Sequence, residues 1–136
     1  MTPNELISQA KNDYINRLNL LNMSKEITTP SGLKYKVVAG GEGEKVGVNK
    51  KVKVHYTGSL TNGTVFDSSL TRGEPFEFVV GVGQVIKGWD EALSDMKKGE
   101  KRLLTIPPDL AYGPDTGGHR LAGQTLNFDV EVIDFE

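Results

Sequence analysis

Most of the side-chain sets that do chemistry are missing from this sequence. Its two histidines, His55 and His119, lie far apart and lack metal-ligand spacing. It has no cysteine, which excludes a disulfide framework, a thiolate metal site and a cysteine nucleophile. The segment Gly81-Val82-Gly83-Gln84-Val85-Ile86 lacks the third glycine of a dinucleotide loop, and no Gly-Lys-Ser/Thr phosphate loop occurs. There is no nucleophile elbow. Glu42 and Glu44 read as solvated loop charges. What remains is aromatic: Tyr56, Phe66, Phe76, Phe78, Trp89, Tyr112 and Phe128. Taken singly, each reads as a core residue, because large aromatics are usually buried. Spacing alone does not lift them above that.

These residues lie on segments that alternate with period two. Val52, Val54 and Tyr56 oppose Lys51, Lys53 and His55; Arg102, Leu104 and Ile106 oppose Lys101, Leu103 and Thr105. Leu126, Phe128, Val130 and Val132 oppose Asn127, Asp129 and Glu131, and Leu33, Tyr35 and Val37 oppose Lys34 and Lys36. Such alternation predicts strands with one wet face, hence an antiparallel sheet. Asn62-Gly63 between two strand-like runs predicts a hairpin turn. One helix interrupts the strands: Trp89, Ala92, Leu93 and Met96 are helical neighbours, Lys97 and Lys98 suit its C-terminal dipole, and Gly99 suits the position just past its end. A half-wet sheet and one short amphipathic helix are satisfied together if the sheet curls around the helix, an α+β arrangement.

Residues 3–22 read as a separate helix. Pro3 suits its first turn, and Leu6, Ala10, Tyr14, Leu18 and Leu21 form an apolar stripe flanked by Ile7 and Ile15. The reading is therefore an N-terminal helical extension, residues 1–24, before one domain at 25–136. The 136 residues allow one domain with an appendage. A net charge of −2 argues against a nucleic-acid footprint. No apolar run approaches the ~20 residues of a membrane span, and the first residues lack the pattern of a secretory signal, so a cytoplasmic location is expected.

Eight blocks occur in order: VHYTG (54–58), NGTVFDSS (62–69), Arg72, PFEF (75–78), VIKGWDEAL (85–93), KGE (98–100), LLTIPPDLAYG (103–113) and NFDVEVID (127–134). Together they make the chain resemble the FKBP-type peptidyl-prolyl cis–trans isomerases, the rapamycin-binding immunophilins, over about residues 29–136. The resemblance implies a curved antiparallel sheet wrapped on a short helix. It implies an apolar pocket walled by Tyr56, Phe66, Trp89 and Phe128, with Trp89 at the floor and Phe76 completing the wall. Val85 and Ile86 would form the rim, the Ile86 N–H donating to the bound peptide, and Asp67 and Tyr112 would make the polar side-chain contacts. Arg72 would pair with Asp67 and orient it, and Phe78 stays in the core. After Gly113 the chain departs from the pattern: the loop 114–124 is a residue shorter and lacks the Pro-Pro of many members. There Leu121 stands in for the usual rim isoleucine, and His119 falls near the family's loop histidine.

The implied function is isomerisation of X-Pro bonds in peptides and unfolded chains, without cofactor or metal and with inhibition by rapamycin or tacrolimus. No nucleic acid or membrane partner is implied. The alternative is a non-catalytic peptide- or macrolide-binding module or chaperone on the same fold. For the N-terminal stripe, docking on the chain's own sheet and a monomer are favoured, because a few helical turns bury less than the roughly 1,000 Å² of a stable interface. A homodimer through residues 1–24 and a fraying or client-holding arm are the other possibilities.

Overall fold

The computed structural model describes residues 2–7, 9, 25–115 and 118–136. Its strands are β1 (Ile27–Thr28), β2 (Lys34–Ala39), β3 (Glu42–Lys45), β4 (Lys51–Leu60), β5 (Val65–Ser68), β6 (Phe76–Val79), β7 (Lys97–Lys98), β8 (Lys101–Ile106) and β9 (Leu126–Phe135). The helices are a single turn, α1 (Ser69–Arg72), and α2 (Lys87–Ser94), with a 3-10 turn at Pro108–Leu110. Seven strands form one antiparallel sheet in the order β1-β2-β8-β9-β4-β5, in which β6 also pairs with β4; β3 and β7 pair separately. The long strand β4 is shared along its length: Lys51–Val54 pairs with β6 and Thr57–Ser59 with β5.

The period-two pattern decides which face is dry. Val52, Val54, Leu104, Ile106, Leu126, Val130 and Val132 are all at most 1% exposed and form the core with Trp89, Ala92, Leu93 and Met96. Burial of each such side chain contributes about 1.5–3 kcal/mol. Gly88 on α2 lets the helix approach the sheet closely, since a β-carbon there would lie 2.7 Å from the Ile106 side chain. The Asn62-Gly63 turn joins β4 to β5: Asn62 Oδ1 accepts the Thr64 N–H at 2.9 Å and Gly63 takes a φ of 90°.

Two expectations about these elements are corrected. Glu42 and Glu44 are exposed but belong to β3 rather than to a loop. The helix ends at Ser94, so Lys97 and Lys98 form β7, and Gly99 (φ 84°) makes the turn between β7 and β8. Tertiary bonds stop the helix there: the Met96 carbonyl accepts the Val46 N–H at 2.8 Å and the Ser94 carbonyl the Gly47 N–H at 3.0 Å. Arg102 faces inward as its register requires, and is buried without being apolar. Its guanidinium pairs with Glu100, donates to Asp95 Oδ2 at 2.9 Å and lies 4.2 Å from the Tyr35 ring centroid. Removing one partner from such a buried set is costly, because the other charge stays behind.

Residues 3–7 are helical. Leu6 and Ile7 are more than half exposed, so these two do not dock on the sheet. Ala10, Tyr14, Ile15, Leu18 and Leu21 lie outside the described residues.

Candidate functional site

One end of the sheet's dry face is left uncovered by α2, and aromatic side chains from six segments meet there. Tyr56 comes from β4, Phe66 from β5, Phe76 from β6, Trp89 from the first turn of α2 and Phe128 from β9, while Tyr112 follows the 3-10 turn. With Asp67, Gln84, Val85 and Ile86 they line a cavity of about 220 Å³. Trp89 is the hub. Its ring lies edge-on to Tyr56 at 4.9 Å and to Phe128 at 5.3 Å, and contacts Phe76 and Phe78 at 6.2 and 5.7 Å. Phe66 meets Phe128 edge-on at 5.6 Å. Such pairs add roughly 0.5–1.5 kcal/mol each beyond area burial. Gly58 on β4 makes the Phe66–Phe128 contact possible: a β-carbon there would lie 2.7 Å from both rings.

The polar edge is a closed triangle. The Tyr56 hydroxyl donates to Asp67 Oδ2 at 2.5 Å, Arg72 Nη1 donates to Asp67 Oδ1 at 2.7 Å, and Arg72 Nη2 donates to the Tyr56 oxygen at 2.8 Å. Local sequence builds this. Ser68 caps α1 by accepting the Leu70 N–H, and Gly73 (φ 73°) ends the turn after Arg72, at the residue that follows it. Ser69, fully buried, accepts the Tyr56 N–H at 2.8 Å and ties the turn to β4. Partial burial works to raise the Asp67 carboxyl, but the Tyr56 hydroxyl and the Arg72 guanidinium outweigh it and hold it below the usual carboxylate range. Burial, and then donation to Asp67, push the Tyr56 phenol up. Asp67 is thus ionised and Tyr56 protonated at neutral pH.

Ile86 is the residue before α2, with extended rather than helical backbone (φ −59°, ψ 151°). Its carbonyl accepts the Trp89 and Asp90 N–H groups, while its own N–H donates to no acceptor among the described residues. That leaves the Ile86 N–H free at the rim of an apolar cavity.

The cavity lining contains Tyr56, Phe66, Asp67, Phe76, Val85, Ile86, Trp89, Tyr112 and Phe128, all expected from the sequence. Two expected residues are placed elsewhere. Leu121 is 6% exposed and packs into the core rather than lining the cavity. His119 lies outside it, its ring stacked on Tyr112 at 3.9 Å with 3° between the planes, and its Nδ1 accepts the Leu121 N–H at 3.0 Å. Arg72 stands behind Asp67 and Tyr56 and is absent from the lining. Gln84 is the lining residue that sequence reading missed; its adjacency to Val85-Ile86 is the signal that was there to use. A second depression, of about 400 Å³, lies on the sheet's opposite face, among Lys36, Thr57, Leu103 and Asp129. Its lining is mixed, and only Tyr35 and Phe128 bring aromatic rings to it.

No group of three or more His, Asp or Glu among the described residues is arranged to hold a metal. The cavity suits a small apolar ring with carbonyls on either side, and a proline in a peptide has that form.

The family profile of the FKBP-type peptidyl-prolyl cis–trans isomerases matches residues 42–133. FK506-binding protein 1 of Dictyostelium discoideum is 50% identical over 106 residues, which cover 77% of this chain and 99% of that protein. A probable FKBP-type peptidyl-prolyl cis–trans isomerase of Haemophilus influenzae is 51% identical over 108 residues, covering 79% of this chain and 44% of its own. The crystal structure of AtFKBP13 superposes with a TM-score of 0.74 at 41% identity, over 82% of this chain and 99% of that one. The profile match spans about two thirds of the chain, and the fold and sequence agree with it: the chain belongs to the family of FKBP-type peptidyl-prolyl cis–trans isomerases.

Proposed function

We propose that the aromatic cavity is where this isomerase turns X-Pro bonds over, and that unfolded protein chains are its substrates. The observation that carries this reading is convergence: side chains from six segments enclose one apolar cavity edged by an ionised carboxylate and a free backbone donor. An X-Pro bond crosses a barrier of ~18–20 kcal/mol because twisting it breaks amide resonance. The planar amide is more charge-separated than the twisted one. Walls of Phe, Tyr and Trp exclude water and disfavour the planar form relative to the twisted one, which is differential binding of the transition state. The Ile86 N–H and the Tyr112 hydroxyl hold the flanking carbonyls, and the rotating bond stays free. Phe66, Trp89 and Phe128 pack on the proline ring, with Tyr56, Phe76 and Val85 closing the sides. Asp67, fixed by Arg72, makes a polar side-chain contact to the bound chain at the cavity's edge. His119 supports Tyr112 from outside. No proton is transferred, so no general base is needed.

Macrolides such as rapamycin and tacrolimus occupy the same cavity in this reading, and residues 25–136 suffice for binding and turnover. The test is refolding of a protein whose slow phase is limited by an X-Pro bond, a process slow enough to follow directly. Catalysis abolished by Phe128→Ala together with Asp67→Ala supports the assignment; undiminished catalysis by that double variant overturns it.

A further inference from the structure

The rim donor sits at the end of a loop that the chain has to hold in place. Residues 80–86 connect β6 to α2, and Gly81 and Gly83 take left-handed φ of 86° and 79°. At the tip Val82 is half exposed, although Val80 at the start of the loop is fully buried and the Val48 side chain lies over Gly81. Two polar side chains hold the loop beyond Val80. Asp90, one turn into α2, accepts the Gly81 N–H on Oδ1 at 2.8 Å and the Gly83 N–H on Oδ2 at 3.1 Å. Gln84 Oε1 accepts the Val79 N–H at 2.9 Å. Asp90 is also the residue whose own N–H donates to the Ile86 carbonyl, at 3.2 Å. One residue therefore grips the loop by its side chain and the rim residue by its backbone.

We infer that Asp90 is a positioning residue for substrate capture: its carboxylate holds loop 80–86 so that Ile86 presents its N–H before substrate arrives. This rests on the proposed role of the Ile86 donor. A carboxylate can accept two amides at once, whereas an asparagine in the same place offers one acceptor and sets an NH2 group against the second N–H. Loss of the anchor leaves the loop in its competent form only part of the time. Apparent affinity then falls by that fraction, while bound substrate re-forms the loop and proceeds at the normal rate. The effect belongs in KM rather than kcat.

The test compares Asp90→Asn, Asp90→Ala and Asp90→Glu with wild type, using a Leu-Pro tetrapeptide for turnover and rapamycin for affinity. Asp95→Asn serves as a control that loses ion pairs to Lys45 and Arg102, neither of them in the loop. For Asp90→Asn we expect KM and the rapamycin Kd to rise about fivefold, with kcat within about twofold. Fivefold corresponds to ~1 kcal/mol at 1.4 kcal/mol per tenfold. Amide exchange at Gly81 and Gly83 should accelerate in the same variant. Asp90→Glu keeps the charge and both acceptors; it should fold if Asn does not, and should bind better than Asp90→Ala. Asp95→Asn should lower the melting temperature and leave KM unchanged. The inference fails if exchange accelerates while KM and Kd stay at wild-type values. It fails equally if kcat falls at constant KM, if Glu is no better than Ala, or if Asp95→Asn raises KM as much. Absence of turnover in the wild type would instead contradict the functional reading, with rapamycin Kd and exchange still deciding the role of Asp90.

Discussion

At the scale of single residues, the site pairs an apolar wall with very few polar contacts, so each polar contact matters. Tyr112→Phe removes one hydroxyl and no ring, and Asp67→Ala removes the carboxylate from the Tyr56–Arg72 triangle. Each should weaken rapamycin binding and turnover by roughly 1–3 kcal/mol, the cost of a lost hydrogen bond to a group left unpaired. Titration calorimetry and tetrapeptide kinetics check this; wild-type values in both variants would remove these residues from the site. Asp67 also sets a pH dependence. Its carboxyl is held below the ordinary value near 3.9. The stabilisation it supplies is complete above that value and is lost as pH falls through the lower folded value. Asp95, where burial is outweighed by Lys45 and Arg102, behaves the same way. Stability curves for wild type and Asp95→Asn should therefore differ at pH 7 and draw together as pH falls through the lowered Asp95 value. A gap that does not narrow at all on acidification would contradict the pairing. Turnover itself should be flat between about pH 6 and 8, and a steep bell would require a proton transfer that the cavity does not need.

At the scale of elements, the strands were legible because their inward residues are nearly all apolar and their outward ones charged. β4, β8 and β9 follow from Val52, Leu104 and Val130 and their neighbours. The end of α2 was not legible, because Lys97, Lys98 and Gly99 carry a sound helix-termination pattern that loses to backbone bonds from Val46 and Gly47. β3 was hidden because Glu42-Gly-Glu-Lys has no dry face. For the site, family resemblance supplied the aromatic wall, which periodicity alone left as core. It did not place Leu121 in the core or His119 against Tyr112, since both lie in the loop where the chain leaves the family pattern. One element-scale consequence concerns β4. Gly58→Ala would drive a methyl group into Phe66 and Phe128. Overpacking of this kind typically costs 1–3 kcal/mol. The variant should lose that much stability in urea unfolding and lose rapamycin affinity with it; unchanged affinity would mean that the Phe66–Phe128 contact does not shape the cavity.

At the scale of the whole molecule, the sheet and α2 form one core, and every cavity residue lies within 56–128. Deleting residues 1–24 should accordingly leave tetrapeptide turnover nearly intact. Leu6 and Ile7 are exposed, so the deletion removes little packing from the domain at those positions. Sedimentation equilibrium should show a monomer before and after truncation, and a dimer that dissociates on truncation would assign the segment to self-association. The central claim is that one apolar cavity both binds macrolides and accelerates X-Pro isomerisation by desolvation. The most direct measurement is the rate of an X-Pro-limited refolding reaction at fixed protein concentration, titrated with rapamycin. The account predicts acceleration that falls linearly to the uncatalysed rate at one equivalent of tightly bound macrolide. Full acceleration at saturating rapamycin would contradict it.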